Sequence, residues 1–424
     1  MDGHQKKVVV IGGGFAGVHL IQQLAKDQRF HITLVDRNNY NFFPPLIYQV
    51  SAGFLEPSNI SYPFRKLYHH KKNITFRLGE FKRVIPEENK VEISSGDLYY
   101  DYLIFSTGTQ SNFFGIEHVM KKAVPMKTIN DAIELRNYIL QTIEKATITT
   151  DPAERKKLLT MVVVGAGPSG VEISGILAEM KNGIYKKDYP ELIGQPGNIY
   201  LVDSGPKVLG PMSAKSQDYT HKSLEAMGIK ILLSKQVKDY DFTDDSVVFA
   251  DGEKIATDTL IWTAGVIATE LPGMPKESIG RGRRVLVDAY NKAQGFDNIY
   301  ALGDSCFMTT DPAFPNGHPQ LAQVAIQQGK NLAHNLKMIA DNRPLKPFIY
   351  NDKGTMAIIG KTKAVADIGK LHFKGFIAAM IWGFIHIWSL INYRNKFKTF
   401  FNWGFAWFTK DVAMRFIFRP DKKV

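Results

Sequence analysis

VVVIGGGFAGVHLIQQL (Val8–Leu24) is repeated later in the chain as MVVVGAGPSGVEISGIL (Met161–Leu177). Each copy is an apolar run that is followed by glycines and then by a helical pattern. Two further pairs follow in the same order: TLVDR (Thr33–Arg37) with YLVDS (Tyr200–Ser204), and DYLIFSTGT (Asp101–Thr109) with DTLIWTAGV (Asp258–Val266). Apolar β-branched runs that alternate with helical patterns are typical of a parallel sheet covered on both faces. The sequence therefore predicts an α/β fold with two doubly wound, Rossmann-like domains.

The glycines of the first copy have the spacing of a dinucleotide-binding turn. Gly12 makes the tight turn between strand and helix, Gly14 lets the backbone approach a pyrophosphate, and Gly17 lets helix and strand pack closely. A lone turn of this kind also occurs in proteins that bind no nucleotide, so the spacing alone is weak evidence.

The residues around this turn complete the first predicted nucleotide site. Phe15 and Ala16 begin the helix, whose N-terminal amides can bind an anion. Asp36, next to Arg37, follows Gly17 by nineteen residues, close to the spacing of about 20 for an acid on the ribose hydroxyls.

The second copy repeats the arrangement with Gly165, Gly167 and Gly170, and with Asp203 as the acid. Here the acid follows the last glycine by 33 residues, so an insertion of roughly residues 181–197 must extend the crossover. Two copies, each flanked by a strand and ended by an acid, predict two dinucleotide sites.

The composition limits the chemistry. The single cysteine, Cys306, excludes intramolecular disulfides, paired redox cysteines and cysteine-ligated zinc or iron–sulfur clusters. Redox chemistry must then come from an organic cofactor, and no metal is implied. The start MDGHQKKVVV has no apolar signal region, which predicts that the bulk of the protein stays in the cytoplasm or an equivalent compartment.

NIYALGDSC (Asn298–Cys306) is an apolar strand that ends in Gly303-Asp304 and has no counterpart in the second copy. Together with the two copies, it resembles the two-dinucleotide-binding-domain flavoprotein family. The resemblance implies FAD on the first copy and a nicotinamide nucleotide on the second, with Asp304 on the ribityl hydroxyls of FAD. The alternative for Asp304 is a solvent-exposed turn residue.

Other cofactor contacts are expected at two matching strand ends. They contain Thr107-Gly108 and Ala264-Gly265, which in this family abut the cofactors, although simple tight turns also use glycine. In the second copy, a carboxylate at Asp203 favours NADH over NADPH because it accepts from both ribose hydroxyls and repels a 2′-phosphate. Lys207, nearby in sequence, works against that preference.

AQVAIQ (residues 322–327) resembles the AQxAxQ pattern of type II NADH dehydrogenases, the single-chain, non-pumping NADH:quinone oxidoreductases. Three further stretches agree with this family: DRNNYNFFPPLIYQVSAG (Asp36–Gly53), TDPAERKKLLTMVVVGAGPSGVE (Thr150–Glu172) and GTMAIIGKTKAV (Gly354–Val365). Phe43 and Pro44, at the expected mouth of the site, depart from the commoner family residues.

This second resemblance implies the residues of the reaction. Gln323 and Gln327 are expected where the quinone head group meets the flavin, or else form a polar helix stripe. Glu172 is expected near nicotinamide and flavin, where a carboxylate can relay a proton to quinone; an acid early in a helix is also favourable on structural grounds alone. Tyr48 and Gln49 are weaker candidates near the flavin.

The C-terminal tract combines aromatic residues with cations. FIAAMIWGFIHIWSLINY (Phe376–Tyr393) precedes RNKFKTFFNWGFAWF, and from Asn392 onward eight Lys or Arg stand against two Asp. The seventeen residues 375–391 would make a helix of about 26 Å, short of a bilayer core of about 30 Å. We therefore expect an amphipathic helical segment that lies on the membrane surface, rather than a span. Burial in the protein or in a dimer interface is the alternative.

These observations predict an FAD domain (1–125 and 285–345), an NADH domain (126–284) and a C-terminal membrane-associating region (346–424). The predicted enzyme oxidises NADH and passes two electrons through FAD to a membrane quinone of a respiratory chain, without proton pumping. It is expected to be monotopic on the cytoplasmic face of the inner membrane, with a homodimer left open and no nucleic-acid partner. The alternatives are a reductase of a small redox protein and a flavin-based redox sensor.

Overall fold

The structure is a computed structural model that describes residues 5–409 and 415–417, without the side chains of Ile184 and residues 406–409. The strands are β1 Lys6–Ile11, β2 Phe30–Asp36, β3 Tyr40–Phe42, β4 Ser61–Pro63, β5 Ile74–Leu78, β6 Phe81–Ile85, β7 Lys90–Ile93, β8 Gly96–Tyr99, β9 Tyr102–Phe105, β10 Thr109–Ser111, β11 Val124–Pro125, β12 Met161–Val164, β13 Ile199–Val202, β14 Ile229–Leu232, β15 Val237–Asp241, β16 Ser246–Phe249, β17 Lys254–Ala256, β18 Thr259–Trp262, β19 Val266–Ala268, β20 Val285–Val287, β21 Ile299–Ala301, β22 Cys306–Met308, β23 Thr355–Gly360, β24 Lys363–Ile368 and β25 Leu371–Lys374. The α-helices are α1 Phe15–Leu24, α2 Ile47–Ser51, α3 Pro57–Ile60, α4 Phe64–Tyr68, α5 Glu117–Lys122, α6 Ile129–Ile148, α7 Pro152–Leu158, α8 Pro168–Asn182, α9 Ile184–Asp188, α10 Ala214–Ala226, α11 Ala322–Ala340, α12 Gly375–Ser389 and α13 Tyr393–Thr409.

The chain divides into two compact units, each built from three segments. Unit 1 contains the chain up to Phe42, Tyr62–Gln110 and Val266–Asp352. Unit 2 contains Phe43–Ser61, Ser111–Gly265 and the chain from Lys353 onward. The predicted division into an FAD domain, an NADH domain and a C-terminal region stays a prediction.

Unit 1 is built on a five-stranded parallel sheet in the order β21-β9-β1-β2-β5. Strands β21, β9 and β1 are largely apolar and buried, as expected where both faces of a parallel sheet are covered, whereas the edge strand β5 is largely exposed. Strand β21 is the last strand of this sheet in chain order. It pairs with β9 and so places the Gly303-Asp304 turn beside the first copy. Helix α11 packs closely on α1, with Gly329 against the backbone of Ala16.

Unit 2 contains the second parallel sheet, in the order β11-β18-β12-β13-β14. The inserted residues 181–197 include helix α9 and a short 3-10 turn, Pro190–Leu192, between α8 and β13. The two sheets, each with a glycine turn after its central strand, confirm the predicted α/β class with two Rossmann-like folds.

The C-terminal part of unit 2 is a three-stranded antiparallel sheet, β23-β24-β25, that is followed by α12 and α13. Strand β23 packs on α8, where Gly175 lies against the carbonyl of Ile359 and leaves no room for a side chain. Helix α12 packs on β24. The C-terminal sheet thus packs directly on the helix that begins at the second glycine turn.

Candidate functional site

The first glycine turn holds β1, β9 and α1 together. Gly12 has φ of +102°, and a side chain there would collide with the backbone of Ser106 at the end of β9. The Ser106 hydroxyl donates a 2.7 Å hydrogen bond to the Gly12 carbonyl. Gly17 packs against the same carbonyl, so α1 approaches the strand as closely as backbone allows.

The second turn reproduces these contacts. Gly165 has φ of +106°, and its missing Cβ would lie 2.7 Å from the backbone of Ala264. Thr263 takes the place of the serine and donates to the Gly165 carbonyl at 3.0 Å, while Gly170 packs against that carbonyl. Gly265 follows, and its carbonyl accepts from the Asn112 backbone amide at 3.0 Å.

Both turns leave open space in front of a helix start. Gly14 and Gly167 precede α1 and α8 in extended conformations, and a Cβ at either would meet no atom within 4 Å. Neither helix start has a side-chain cap. An uncapped helix N-terminus beside an open cradle fits a pyrophosphate. Phe15 and Ala16 form the first turn of α1, where Ala16 is buried.

The two acids lie at equivalent positions. Asp36, at the end of β2, accepts from the amides of Gly13 at 2.7 Å and Asn38 at 2.8 Å. Asp203 follows β13 and accepts from Ala166, the counterpart of Gly13, and from Gly205, both at 2.6 Å. Burial raises the pKa of Asp36, while these amide bonds act in the opposite direction. Each carboxylate is therefore fixed against its glycine turn, as an acid that receives ribose hydroxyls must be.

Arg37 is the neighbour of Asp36, and its side chain is exposed.

The Gly303-Asp304 turn is tied to the end of β9. The Ser305 hydroxyl accepts from the Gly108 amide at 2.9 Å and contacts the Thr107 hydroxyl at 3.1 Å. Asp304 accepts from the Thr109 hydroxyl at 3.4 Å and is partly buried, not a fully exposed turn residue. The structure thus brings the predicted residues Thr107, Gly108 and Asp304 together.

Helix α11 carries the predicted glutamines at its N-terminal end. Gln327 exchanges two hydrogen bonds with the backbone of Asn351, at 2.9 and 3.1 Å, so its amide supports the following loop. Gln323 lies one turn earlier and is partly buried. The next residue along, Gln328, is fully buried and accepts from the Gly303 amide at 2.7 Å.

Ser305 and Gln328 were not predicted, although the spacing of apolar residues around Gln328 indicates that it is buried. It follows Val324 by four residues and precedes Leu332 by four, which places it on the buried face of α11. A polar residue at that position must bond within the protein.

Glu172 lies in the second turn of α8 and faces the C-terminal sheet. Its carboxylate accepts from the Ile358 amide of β23, and burial raises its pKa to about 8. Glu179, seven residues further on the same helix, accepts from the Lys361 amide, and burial raises its pKa as well. Two carboxylates of α8 thus bond the backbone of one neighbouring hairpin.

A hydrogen-bonded chain leads from the C-terminal helix to Tyr48. The Trp403 indole N–H donates to Gln49 Oε1 at 2.7 Å, and Gln49 Nε2 donates to the Tyr48 hydroxyl at 2.8 Å. Burial and then the charge of Glu172 raise the pKa of Tyr48. Tyr48 and Glu172 are therefore close enough to interact electrostatically. The sequence named Tyr48 and Gln49 as weak candidates and did not predict the contact with Trp403.

Helices α12 and α13 turn most of their large apolar side chains outward. The exposed ones are Phe376, Ile377, Met380, Phe384, Ile385, Trp388, Tyr393, Phe397, Phe400, Phe401 and Phe405. Within residues 5–409 and 415–417, no helix has the length and apolar character needed to cross a bilayer. The side chains of Trp407 and Phe408, which the sequence assigned to the same lipid-facing set, lie outside the described part.

One buried cluster anchors α12. Trp382 is 2% exposed and stacks on His386 with ring centroids 3.9 Å apart, while Phe43 meets His386 edge-on at 6.0 Å. Burial lowers the pKa of His386 to about 4. The imidazole is therefore neutral at physiological pH.

Comparison with known proteins agrees with this geometry. The family model described as pyridine nucleotide-disulphide oxidoreductase matches residues 6–329, and the NDH2 C-terminal domain matches residues 353–410. Two proteins of Mycobacterium tuberculosis are similar over nearly the whole chain. The type II NADH:quinone oxidoreductase NdhA is 34% identical over 95% of this chain and 87% of its own. The type II NADH:quinone oxidoreductase Ndh is 35% identical over 94% and 87%.

Among solved structures, NDH2 from Plasmodium falciparum in complex with NADH has the same fold. Its TM-score is 0.88 at 22% identity, over 96% of this chain and 99% of that one. The matched models cover more than half of the chain, and the Mycobacterium relatives exceed 30% identity. The chain therefore belongs to the pyridine nucleotide-disulphide oxidoreductase family and, within it, to the type II NADH:quinone oxidoreductases.

Proposed function

We propose that this chain oxidises NADH at the second glycine turn and passes two electrons, by way of FAD held at the first, to a membrane quinone. In the first fold, FAD would be held by Gly12, Gly14, Asp36, Thr107, Gly108 and Asp304. In the second, NADH would be held by Gly165, Gly167, Gly170, Asp203, Ala264 and Gly265. The observation that carries the proposal is the duplicated cradle, in which both turns repeat the same contacts and the same open space.

FAD, when bound, takes up two electrons from NADH as a hydride and returns them to a quinone. In the balanced reaction, NADH, one proton and quinone become NAD⁺ and hydroquinone, so the protein must supply a proton that water later replaces. Glu172 is suited to that task because a pKa of about 8 keeps its carboxyl protonated at neutral pH. Its bond from the Ile358 amide is compatible with the protonated form, whose carbonyl oxygen still accepts.

Tyr48 is suited to a different task. Its raised pKa keeps the hydroxyl neutral, and a neutral hydroxyl can donate a hydrogen bond to a quinone oxygen. We assign Tyr48 this donor role and leave proton delivery to Glu172. Gln323 and Gln327 remain predicted quinone contacts; the bonds between Gln327 and Asn351 also give Gln327 a structural role.

The outward face of α12 and α13 is proposed to rest on a lipid bilayer. Side chains such as Phe384 (68% exposed), Trp388 (70%) and Phe401 (66%) present apolar surface to solvent. Cations accompany them: the Lys396 ammonium lies 5.0 Å from the Trp388 ring, and Arg394 is exposed. Aromatic rings beside cations are typical of a helix at an anionic membrane surface. Quinones reside in lipid, so this attachment would bring the enzyme to its acceptor.

The cytoplasmic face of the inner membrane remains the proposed location. A homodimer formed through the outward face of α12 and α13 is the competing use of that protein surface. Sedimentation with anionic vesicles separates the two. Lipid docking predicts that protein pellets with vesicles, whereas a dimer predicts a doubled mass in solution and little lipid binding.

Two glycine substitutions test the division between the cradles. Gly14 and Gly167 both have extended backbone that any residue adopts, with φ of −74° and −72°, so valine should fill the open space without strain. We expect Gly14→Val to yield protein without flavin. We expect Gly167→Val to remain yellow yet fail to oxidise NADH, while an artificial reductant followed by quinone still cycles its flavin. Normal NADH oxidation by Gly167→Val would contradict the assignment of the second turn.

A further inference from the structure

Helix α13 has an inward stripe as well as its outward aromatic face. Asn395, Thr399 and Trp403 follow one another at intervals of four residues, which places them on one side of the helix. All three donate hydrogen bonds to Phe43–Ser61: Asn395 to the Ser61 carbonyl at 3.0 Å, Thr399 to the Asn59 carbonyl at 3.5 Å, and Trp403 to Gln49 Oε1. The first two bonds reach backbone, whereas the third reaches a side chain next to Tyr48.

The bond from Trp403 fixes which way the Gln49 amide faces. An indole N–H can only donate, so the atom it meets must be the carbonyl oxygen of the amide. The NH₂ group then points at the Tyr48 hydroxyl, 2.8 Å away. The hydroxyl is the acceptor in that bond, and its own hydrogen must point elsewhere.

If the amide were reversed, its oxygen would face Tyr48 and would accept the hydroxyl hydrogen. Tyr48 would then have no hydrogen left for a second partner. The orientation of one amide thus decides whether Tyr48 can donate.

We infer that Trp403 is a positioning residue for quinone reduction: its indole N–H holds the Gln49 amide so that the Tyr48 hydroxyl remains free to donate to the quinone oxygen. This inference rests on the donor role proposed above for Tyr48. It gives α13 a second function, because the helix that presents phenylalanines outward also completes the hydrogen bonding behind the site.

Trp382 provides a matched control from the same aromatic cluster. The two indoles lie with ring centroids 5.5 Å apart, and Trp382 is the more buried of the two. Within the described residues, the buried Trp382 Nε1 has no hydrogen-bond acceptor. Replacing either tryptophan with phenylalanine keeps an aromatic ring, but only Trp403→Phe removes a hydrogen bond.

The test is a mutant cycle on the FAD-loaded full chain in quinone-containing vesicles. The variants are Trp403→Phe, Trp382→Phe, Tyr48→Phe and the double variant at residues 48 and 403. For each, we would measure kcat with quinone, the stopped-flow rate of flavin reduction by NADH, and the melting temperature. The NADH half-reaction should be unchanged in Trp403→Phe and Trp382→Phe, because these tryptophans lie on α12 and α13 and not among the residues that we assign to the NADH cradle.

We expect Trp403→Phe to lower kcat by about twofold if the two amide orientations become equally populated, and by about tenfold if the reversed one gains a net hydrogen bond. Trp382→Phe should leave kcat unchanged. Tyr48→Phe should lower kcat by more than Trp403→Phe, and adding Trp403→Phe to it should have no further effect.

Four outcomes decide the matter. The expected pattern supports the inference. An unchanged kcat for Trp403→Phe, together with a slowed Tyr48→Phe, overturns the inference but leaves the donor role of Tyr48 intact. Two results would show that Trp403 acts only through packing and would also overturn the inference. One is an equal loss of kcat in Trp382→Phe, and the other is an undiminished effect of Trp403→Phe in the Tyr48→Phe background. An unchanged Tyr48→Phe refutes the proposed role of Tyr48 itself.

Discussion

Glu172 should impose a pH dependence on quinone reduction. Burial raises the pKa of its carboxyl to about 8, so the proton-carrying form exists below that pH and is lost as the pH rises through it. About 90% of the carboxyl is protonated at pH 7 and about 10% at pH 9. If Glu172 supplies the proton, the rate of flavin oxidation by quinone should fall about tenfold over this interval.

Glu172→Gln tests this directly because the amide oxygen can still accept from Ile358, while the side chain has no proton to give. We expect flavin oxidation by quinone to slow about a hundredfold at pH 7 and to lose its decline between pH 7 and 9. Glu179→Gln is the matched control: Glu179 lies on the same helix, also has a raised pKa and also accepts from a backbone amide.

The assay is anaerobic stopped-flow absorbance of the reduced flavin mixed with quinone at several pH values. A Glu172→Gln profile that still falls through pH 8, or an equal loss in Glu179→Gln, would refute the role of Glu172 as proton donor and leave it a structural contact of β23.

Three further predictions concern cofactor choice, lipid binding and the docking of α12. Asp203→Asn removes the charge that repels a 2′-phosphate, so the kcat/KM preference for NADH over NADPH should fall at least about tenfold; an unchanged preference would contradict this role. Phe401→Ser combined with Phe405→Ser removes two exposed rings worth about 1.5–3 kcal/mol each when buried in lipid, so vesicle affinity should fall at least about a hundredfold, whereas Phe242→Ser, which removes a ring that is 51% exposed elsewhere in unit 2, should have no effect. The neutral, half-buried His386 has a pKa of about 4 against an ordinary 6.5, so α12 docking should weaken as pH falls from about 6.5 to 4, by up to about 3 kcal/mol; tryptophan fluorescence should report this loss, and a His386→Phe variant with the same acid sensitivity would exclude His386 as its origin.

The nucleotide cradles could be predicted from sequence because their geometry is local. A tight strand-to-helix turn admits only glycine at Gly12 and Gly165, and the acid that faces each turn ends the adjacent strand. Spacing along the chain therefore specifies most of the arrangement. The return of Asp304 to the first fold was implied by family resemblance, and strand β21 confirms that this segment pairs with β9.

The contacts of Gln49 and Glu172 could not be predicted because they join distant segments. Trp403 and Gln49 are 354 residues apart. A helix rich in phenylalanine and lysine indicates a lipid-facing element, and this composition does not reveal that Trp403 points inward. The signal was the four-residue spacing of Asn395, Thr399 and Trp403. Likewise, the position of Glu172 early in a helix suggested a favourable place near the helix N-terminus, whereas the structure adds a partner, Ile358, from the C-terminal sheet.

Sequential anaerobic mixing would show whether this protein carries electrons from NADH through a bound flavin to quinone. The purified protein is first mixed with NADH in equal amount to its flavin, and then with vesicles that contain quinone. We predict a yellow protein whose flavin absorbance bleaches on the first mixing and returns on the second, with equal amounts of NADH oxidised and hydroquinone formed. A colourless protein, a flavin that NADH does not bleach, or a bleached flavin that quinone does not reoxidise would contradict it.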